Sequence, residues 1–500
     1  MSGAANELSP AGTERTAVRL SRAAAHLPTP PERIVHLGLG AFHRAHEAWY
    51  TAHASDADRW GIVAFTGRSR DLVERLDPQD GLYTLVERGA DADRFEVVPS
   101  IVRVEAGDDV AAFVAAVADP QIAILTLTIT EAGYRLAADG TPDLADPDLA
   151  SDLELLRVAL AAGPSDGSDS VTANAAPVTA LGRILLALDA RRRAGAGPIA
   201  LVSCDNLPDN GGLLQRAVAD LAGRASPDLA AWLAQSVSVV STSVDRITPA
   251  IDVDADSANV REATGWRDAA PVVTEPFADW VLSGSFPAGR PDWESAGARF
   301  VDDLEPWENR KLWMLNGAHT VLAAVGQVRG HALVSSAIDD PVCLRIVEAL
   351  WDDDARLLPG LDLAPYRASL LERFRNPRIE HRLAQIAQDS TTKVRLRIVP
   401  VALGERDADR TADGCATALA AWMLGVGHGV VPAPVGIDST AVASLDASAR
   451  RALLCALDER LAADELFATR VAAAISALGA SGTPASLPLL NHETHGTSPT

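Results

Sequence analysis

Cysteine is scarce in this 500-residue sequence and follows no pattern. The four cysteines, Cys204, Cys343, Cys415 and Cys455, form neither a CxxC pair nor the framework of a disulfide-stabilised secreted domain. They also lack the clustered cysteine and histidine spacing of a zinc site. We therefore expect a cytoplasmic protein with reduced thiols and no metal.

Positive charge and long apolar runs are also in short supply. Lysine and arginine total 44 against 67 acidic residues, and a net charge of −23 disfavours nucleic acids and anionic membranes as partners. The longest uncharged stretch, 415–437, is broken by glycines and prolines and predicts a buried helix rather than a membrane span. The N-terminal residues do not resemble a secretory signal. The expected partner is a small molecule bound to a monomer or a small homo-oligomer.

Lysine is almost absent: only Lys311 and Lys393 occur among the basic residues. An arginine keeps its proton, whereas a desolvated lysine can lose one. This bias leaves two interpretations open. Either at least one lysine is needed for its amine chemistry, or both are remnants of an arginine-rich composition.

The order of apolar patterns predicts two domains in an α/β protein. Short β-branched runs alternate with helical patterns up to about residue 300, which is typical of a parallel, doubly wound sheet of the Rossmann type. Helical periodicities then dominate, including 308–325 and 366–388. The segment 163–172 has the composition of a surface loop. The predicted organisation is a polar tail and linker (1–29), a dinucleotide-binding domain (30–300), a mostly α-helical substrate and catalytic domain (301–490), and a tail (491–500).

A glycine pair follows the first predicted strand. Gly38 and Gly40 stand between that strand and a helical pattern, where glycines permit the close approach of a pyrophosphate, although a tight structural turn would also explain them. His43 takes the place of the usual third glycine. After the next strand, Asp71 could bind the ribose hydroxyl of NAD, whereas Arg68 or Arg70 could receive the phosphate of NADP. The balance slightly favours NAD, with NADP open.

A second group of polar residues lies in the otherwise apolar helical segment 308–325. At about 100° per residue, Glu308, Lys311, Asn316 and His319 share one helix face about 140° wide. A lysine, whose usual pKa is about 10.4, can remove the proton of an alcohol if burial lowers that pKa. An amide can stabilise the resulting alkoxide. A solvated helix face is the plainer alternative, but the apolar neighbours argue against it.

The segment SCDNLPDNG (203–211) follows another predicted strand. The carboxyl ends of parallel strands face the ligand in such folds, so Asn206 could donate a second hydrogen bond to an oxyanion. Asp205 and Asn210 are better explained as turn-forming residues.

These motifs together resemble the long-chain mannitol dehydrogenase family, the polyol-specific dehydrogenases that include fructuronate and tagaturonate reductases. The Lys-x4-Asn-x2-His array and STSVDRITP are the most specific of the matching segments. In chain order these segments are IVHLGLGAFHRAH (34–46), LTITEAGY (127–134), SCDNLPDNG, STSVDRITP (241–249), VTEPFADWVL (273–282), GRPDWE (289–294) and KLWMLNGAH (311–319).

The resemblance implies a metal-free hydride transfer between a polyol and its ketose. It implies that Lys311 is the general base, that Asn206 and Asn316 are oxyanion donors, that His319 orients the substrate, and that Glu308 supports proton exchange. Asp245, Arg373, Lys393 and His381 match substrate-side positions. The implied cofactor-binding residues are Gly38, Gly40, Phe42, Arg44, Arg70, Asp71 and Glu131.

The substrate stays open at this point. The residues around His381 resemble the uronate-reductase branch, but Ser390 and Arg395 depart from the family pattern. A basic set (Arg373, Arg382, Lys393, Arg395 and Arg397) could bind a carboxylate or phosphate. The alternatives to a D-mannitol/D-fructose enzyme are a hexuronate reductase acting on D-fructuronate and D-mannonate, a mannitol-1-phosphate 5-dehydrogenase, and a non-catalytic sensor of a dinucleotide or sugar. A short-chain dehydrogenase is excluded because no tyrosine stands four residues before a lysine.

Overall fold

A computed structural model describes residues 17–67, 69–161, 176–250 and 252–480. Arg68, the predicted loop 163–172 and the predicted tail 491–500 lie outside the described residues. The chain forms two compact units, the first ending at Leu304 and the second beginning at Glu305.

Strands are confined to the first unit within the described residues. They are β1 Val18–Arg19, β2 Glu32–Leu39, β3 Gly61–Thr66, β4 Tyr83–Arg88, β5 Asp93–Val98, β6 Ile101–Glu105, β7 Ile124–Leu127, β8 Ile199–Ser203, β9 Val237–Asp245, β10 Trp266–Arg267, β11 Val272–Thr274, β12 Asp279–Ser283 and β13 Arg299–Phe300. Its helices are α1 Arg22–Ala25, α2 Ala41–Ala45, α3 Glu47–His53, α4 Asp71–Leu76, α5 Val110–Ala118, α6 Pro147–Ala161, α7 Ala180–Ala194, α8 Asn210–Ala225, α9 Pro227–Ser236 and α10 Val253–Thr264.

The main sheet has eight strands in the order β13-β12-β9-β8-β7-β2-β3-β6. All neighbours are parallel except β12 and β9. The six strands from β6 to β9 have the 3-2-1-4-5-6 order of a doubly wound dinucleotide-binding domain, in which the direction of the strand order reverses between β2 and β7. Ligands bind such sheets outside the strand ends at that reversal, so the loop after β2 is well placed for a cofactor.

Both faces of this sheet are buried, which explains why its strands are continuous apolar runs. Ile34 and Ile62 lie in one hydrophobic cluster, whereas the next residues along the two strands, Val35 and Val63, lie in another. Alternate residues of a strand point to opposite faces, so the two clusters are the two sides of one sheet. The predicted α/β class with a Rossmann-type domain is confirmed.

Smaller elements complete the first unit. A three-stranded sheet has the order β11-β4-β5, and β1 pairs with β10. The sequence patterns did not reveal this second sheet. Nor is the whole of 17–29 a linker, because the Arg22 guanidinium donates to the carbonyls of Pro99 and Ile101 at 2.6 and 2.8 Å. That segment is packed against the domain.

The second unit is helical throughout its described residues. Its helices are α11 Glu305–Arg310, α12 Asn316–Val328, α13 Val334–Ile338, α14 Pro341–Arg356, α15 Ala364–Arg375, α16 Leu383–Ile386, α17 Ser390–Arg397, α18 Val399–Asp407, α19 Asp413–Gly427, α20 Ser439–Val442, α21 Ala447–Leu457, α22 Glu459–Ala463 and α23 Glu465–Ala480. A π-helical turn, Lys311–Leu315, joins α11 to α12. The predicted helix over 366–388 is interrupted after Arg375, where Asn376 precedes Pro377 and proline disfavours helical backbone in the residue before it.

Helix α19 lies at the core of the second unit. Residues on all sides of it are buried, among them Leu419, Trp422 and Met423. This is the stretch predicted to be a buried helix. Among the described residues, no helix combines the length and apolarity needed to cross a bilayer.

Candidate functional site

The glycine turn after β2 is shaped by close backbone packing. Gly38 has φ +111°, and a Cβ atom there would lie 2.1 Å from the carbonyl oxygen of Thr128, so no other residue fits. At Gly40 a Cβ would meet only the Gly38 oxygen, at 3.6 Å. The chain itself therefore does not need glycine at position 40, but a side chain there would occupy space beside the turn. This arrangement fits a pyrophosphate that approaches the backbone closely.

The helix that follows the turn is short. Helix α2 has five residues, and His46, with φ −119° and ψ −93°, separates it from α3. The helical segment after the turn thus consists of two short helices. Phe42 is partly buried in α2, and His43 is fully buried where the usual fingerprint has its third glycine.

Arg44 supports the turn from within the protein. It is buried, and its guanidinium donates to the carbonyl oxygens of Gly40 at 3.2 Å and Ala270 at 2.5 Å. Burial lowers the pKa of Arg44 to about 10, so the side chain is still charged at neutral pH. Arg44 therefore contacts the backbone of the turn.

The residues after β3 lie at the surface. Asp71 is exposed at the start of α4, and Arg70 is exposed and paired with Asp108, with 2.8 Å between Nη2 and Oδ1. An arginine that already contacts a carboxylate is less suited to bind the phosphate of NADP. This geometry favours Asp71 as the residue facing an adenosine ribose.

The carboxyl ends of β7, β8 and β9 carry the other predicted residues of this unit. Glu131 is exposed in a short helical turn, Asn206 is exposed three residues after β8 ends, and Asp245 is the buried last residue of β9. Asp205 and Asn210 are structural. The Asp205 carboxylate accepts hydrogen bonds from the backbone N–H groups of 129 and 130, and burial raises its pKa. The Asn210 amide donates to the carbonyls of residues 205 and 242.

The predicted catalytic array of the second unit is built on the π-turn. The N–H of Asn316 donates to the carbonyls of both Lys311 and Leu312, so the backbone between Lys311 and Asn316 closes over five residues rather than four. Each residue of such a turn rotates by less than 100°, so the offset between these two side chains is smaller than the expected 140° or so. Lys311 and Asn316 share a face more closely than an α-helix permits. π-turns inside α-helices frequently occur at functional sites.

Side chains from other helices hold the backbone of this turn. The buried Trp351 on α14 donates its indole N–H to the Met314 carbonyl at 2.8 Å. Arg397 on α17 donates to the Asn316 carbonyl at 3.2 Å and to Thr320 Oγ1 at 3.1 Å. Burial lowers the pKa of Arg397 to about 10. Trp351 was not among the predicted site residues, and Arg397 was predicted only as a member of the basic set.

Two more predicted residues lie beside His319. Its ring contacts Phe374, with centroids 4.9 Å apart, and meets the ring of His381 edge-on at 5.3 Å. Burial, and then the positive charge of Arg373, lower the pKa of His381. His319, His381 and Arg373 therefore form one partly buried group. Glu308 lies in α11, also partly buried.

The remaining basic residues do not form a single anion site. Lys393 donates to the carbonyls of Ile386 at 2.9 Å and Gln388 at 2.6 Å, and burial lowers its pKa. Arg382 contacts Glu380, and Arg395 donates to the Ala456 carbonyl at 2.9 Å. Because these cations bind acceptors of their own unit, the basic set is dispersed.

One group among the described residues has the composition of a metal site: His36, His43 and Glu47, whose ligand atoms lie within 4.8 Å of one another. The two imidazoles are stacked, with centroids 3.4 Å apart and planes 13° apart. An imidazole lone pair lies in the plane of its ring, so two such rings cannot direct both lone pairs at one ion. The geometry of this group is therefore that of a hydrogen-bonded cluster.

Comparison with known proteins identifies the family to which both units belong. The model of the mannitol dehydrogenase Rossmann domain matches residues 32–295, and that of the mannitol dehydrogenase C-terminal domain matches residues 303–428. The chain therefore belongs to the mannitol dehydrogenase family, as the resemblance predicted. It is an NAD(P)-dependent oxidoreductase acting on CH–OH groups.

Individual relatives are similar over most of their length. D-mannonate oxidoreductase of Escherichia coli (strain K12) is 38% identical over 385 residues, covering 74% of this chain and 75% of the relative. Mannitol 2-dehydrogenase of Cereibacter sphaeroides is 33% identical over 478 residues, covering 91% and 95%. The structure of Pseudomonas fluorescens mannitol 2-dehydrogenase in a ternary complex with NAD and D-mannitol has a TM-score of 0.69 at 30% identity, covering 92% of this chain and 94% of the other.

Proposed function

We propose that this enzyme interconverts a polyol secondary alcohol and its ketose, of the D-mannitol/D-fructose type, with NAD as the coenzyme. The observation that carries the proposal is the π-turn that brings Lys311 and Asn316 closer to one face, which continues to His319. An amine, an amide and an imidazole on one face supply a proton acceptor, an oxyanion donor and a hydroxyl ligand, which is what alcohol oxidation needs.

The proposed mechanism gives each side chain one task. Neutral Lys311 takes the hydroxyl proton of the substrate while Asn316 and Asn206 donate hydrogen bonds to the developing alkoxide. His319 holds a neighbouring hydroxyl, and Glu308 returns the proton from Lys311 to solvent. NAD, when bound, would supply the acceptor for the hydride that leaves the carbon. No step requires a metal.

The coenzyme is assigned to the first unit. Gly38 and Gly40 would take the pyrophosphate, with Arg44 supporting the turn and Phe42 and Glu131 completing the site. The exposed Asp71 supports NAD, because Arg70 is held by Asp108. The four cysteines are free, and three of them are buried, which supports the cytoplasm as the location. We expect a monomer or small homo-oligomer that binds neither nucleic acid nor membrane.

A hexuronate is the second candidate substrate. The contact group of His319, His381 and Arg373 supports it, because a guanidinium beside a partly buried imidazole could bind a carboxylate. Dispersal of the other basic residues favours the neutral polyol instead.

The test is an assay of fructose, fructuronate and a fructose phosphate, each with NADH and with NADPH. The rate is measured as the loss of absorbance of the reduced coenzyme. We expect NADH oxidation with fructose and none with the phosphate. Turnover with fructuronate alone would establish the second candidate, and no turnover with any ketose would favour the sensor.

Lys311→Ala tests the base. We expect turnover to be lost while NADH binding, measured by fluorescence, is kept, because the amine acts on the substrate and not on the coenzyme. Lys311→Arg is the matched variant, since arginine keeps a positive charge but does not give up its proton, and we expect it to lose turnover as well. A Lys311→Ala enzyme with an unchanged rate would refute the assignment.

A further inference from the structure

A polar network lies directly behind the glycine turn and has no part in the proposed mechanism. His36 on β2, Glu47 at the start of α3 and Thr126 on β7 are each 0% exposed. Thr128 follows β7 and contacts the turn. Burying a polar side chain lowers the stability of the folded protein unless its hydrogen bonds are satisfied. The hydrogen bonds of these buried side chains are therefore worth examining one by one.

With Glu47 ionised, counting hydrogen atoms assigns the protonation of His36. The Thr126 hydroxyl donates its one hydrogen to Glu47 Oε2 at 2.9 Å, and the Thr128 hydroxyl donates its one hydrogen to the Gly38 carbonyl at 2.8 Å. His36 Nδ1 lies 2.8 Å from the Thr126 oxygen, and Nε2 lies 3.0 Å from the Thr128 oxygen. Since neither hydroxyl has a second hydrogen to give, both ring nitrogens of His36 must donate. An imidazole that donates from both nitrogens is an imidazolium.

The surroundings supply the matching negative charge. Glu47 Oε2 lies 3.4 Å from His36 Nδ1. Although burial acts to raise the pKa of Glu47, the two neighbouring histidines lower it below its ordinary value, so the carboxyl is ionised. His43, stacked on His36, has its pKa lowered to about 4 by burial and by the charge of His36, so it is neutral. The cluster then holds one cation and one anion.

The network reaches the turn through a single hydrogen bond. In a planar trans peptide the carbonyl and the following N–H point in opposite directions. Because the Thr128 hydroxyl donates to the Gly38 carbonyl, it fixes the orientation of the peptide that joins Gly38 to Leu39. A fixed peptide at this turn lets a pyrophosphate approach the backbone closely without rearranging it.

We propose that His36 and Glu47 form a buried ion pair that, through Thr128, positions the Gly38 peptide for the dinucleotide. The inference rests on the proposed function, which assigns this turn to the cofactor. His36, Glu47 and Thr128 are positioning residues, since they act through the backbone of the turn.

Thr128→Val is the first test, because valine has the same shape and lacks the hydroxyl. We expect the Kd of NADH to rise about tenfold, the effect of about 1.4 kcal/mol, which is typical of one lost hydrogen bond. We expect kcat at saturating NADH to change by less than about twofold, and Thr128→Ser to restore binding. Thr84→Val is the matched control, since the buried Thr84 hydroxyl has no hydrogen-bond partner among the described residues.

A double-mutant cycle tests the charges. His36→Gln alone leaves the Glu47 carboxylate buried without its cation, whereas His36→Gln with Glu47→Gln leaves two neutral amides. We expect the double variant to bind NADH more tightly than the His36→Gln variant. Strictly additive effects would show that His36 is neutral and would overturn the ion pair. A stoichiometric metal in the purified enzyme that Glu47→Gln loses would overturn it as well.

NADH binding by the unaltered enzyme tests the proposed function, and NADH binding by Thr128→Val tests the positioning network. If the unaltered enzyme fails to bind NADH, the proposed function falls. If it binds NADH and Thr128→Val binds equally tightly, the proposed function stands and the positioning network is refuted.

Discussion

Replacing Arg397 by methionine tests whether the hydrogen bonds that hold the backbone of the π-turn are needed for catalysis by the residues on that turn. The arginine donates to the Asn316 carbonyl at 3.2 Å and to Thr320 Oγ1 at 3.1 Å, and methionine keeps the apolar stem while removing both bonds. Hydrogen bonds from a charged donor contribute about 1.5–3 kcal/mol each, but removing a partly buried guanidinium also relieves its desolvation. We expect the second unit to lose about 1–2 kcal/mol of unfolding free energy.

The larger effect of Arg397→Met should be on rate. Asn316 is the residue whose carbonyl is released, and a misplacement of about 1 Å in a catalytic group can reduce a rate about 100-fold. We expect kcat to fall about 10- to 100-fold, with the KM for NADH unchanged. Initial rates and urea unfolding measure the two effects separately.

Arg395→Met is the matched control for this experiment. It removes a guanidinium from the same helix, but one that is exposed and donates to the Ala456 carbonyl. We expect its kcat to equal that of the unaltered enzyme. If Arg397→Met lowers stability while kcat stays within about twofold, the arginine is structural only and the reasoning about the π-turn fails.

Three further variants test neighbouring features. Trp351→Phe removes the hydrogen bond to the Met314 carbonyl and should lower kcat several-fold with a loss of about 1 kcal/mol in urea unfolding; an unchanged kcat would count against the π-turn. Asp71→Asn should raise the KM for NADH and leave that for NADPH unchanged, and equal shifts would contradict its assignment. Asp354 is fully buried and its pKa is raised by burial, so the folded state keeps the proton longer than the unfolded state and stability falls as pH rises above about 4. Asp354→Asn should therefore be more stable at neutral pH, with the difference vanishing at acid pH in urea titrations; a gain independent of pH would refute this.

The sequence predicted the elements whose residues are buried on both sides. Strands such as β3 and β8 are continuous apolar runs because helices cover both faces of the sheet. Two strands of the small sheet, β4 and β5, form a local antiparallel hairpin that was missed. Strand β11 pairs with β4 from almost two hundred residues away, and no local pattern records that partner. The helix break after Arg375 could have been predicted, because Asn376 is followed by a proline and the residue before a proline disfavours helical backbone.

The candidate site was predictable in its residue types and not in its geometry. Lys311, Asn316 and His319 stand out as polar residues in an apolar helix, but the extra residue in the π-turn has no signature in an apolar pattern. The buried cations were harder still. Arg44 and Arg246 are 4% and 5% exposed, although arginine is ordinarily a surface residue, so only the structure shows that they bind backbone carbonyls.

Arg44 and Arg246, like the network of His36 and Glu47, act on backbone carbonyls near the glycine turn. Three carbonyls between the end of β2 and the end of α2, those of Gly38, Gly40 and Ala45, accept hydrogen bonds from Thr128, Arg44 and Arg246 respectively. Since each peptide is planar, holding a carbonyl also fixes the N–H that follows it. A five-residue helix has too small a dipole to organise an anion site by itself. The side chains that donate hydrogen bonds to these three carbonyls therefore keep the segment rigid, as a longer helix would have done.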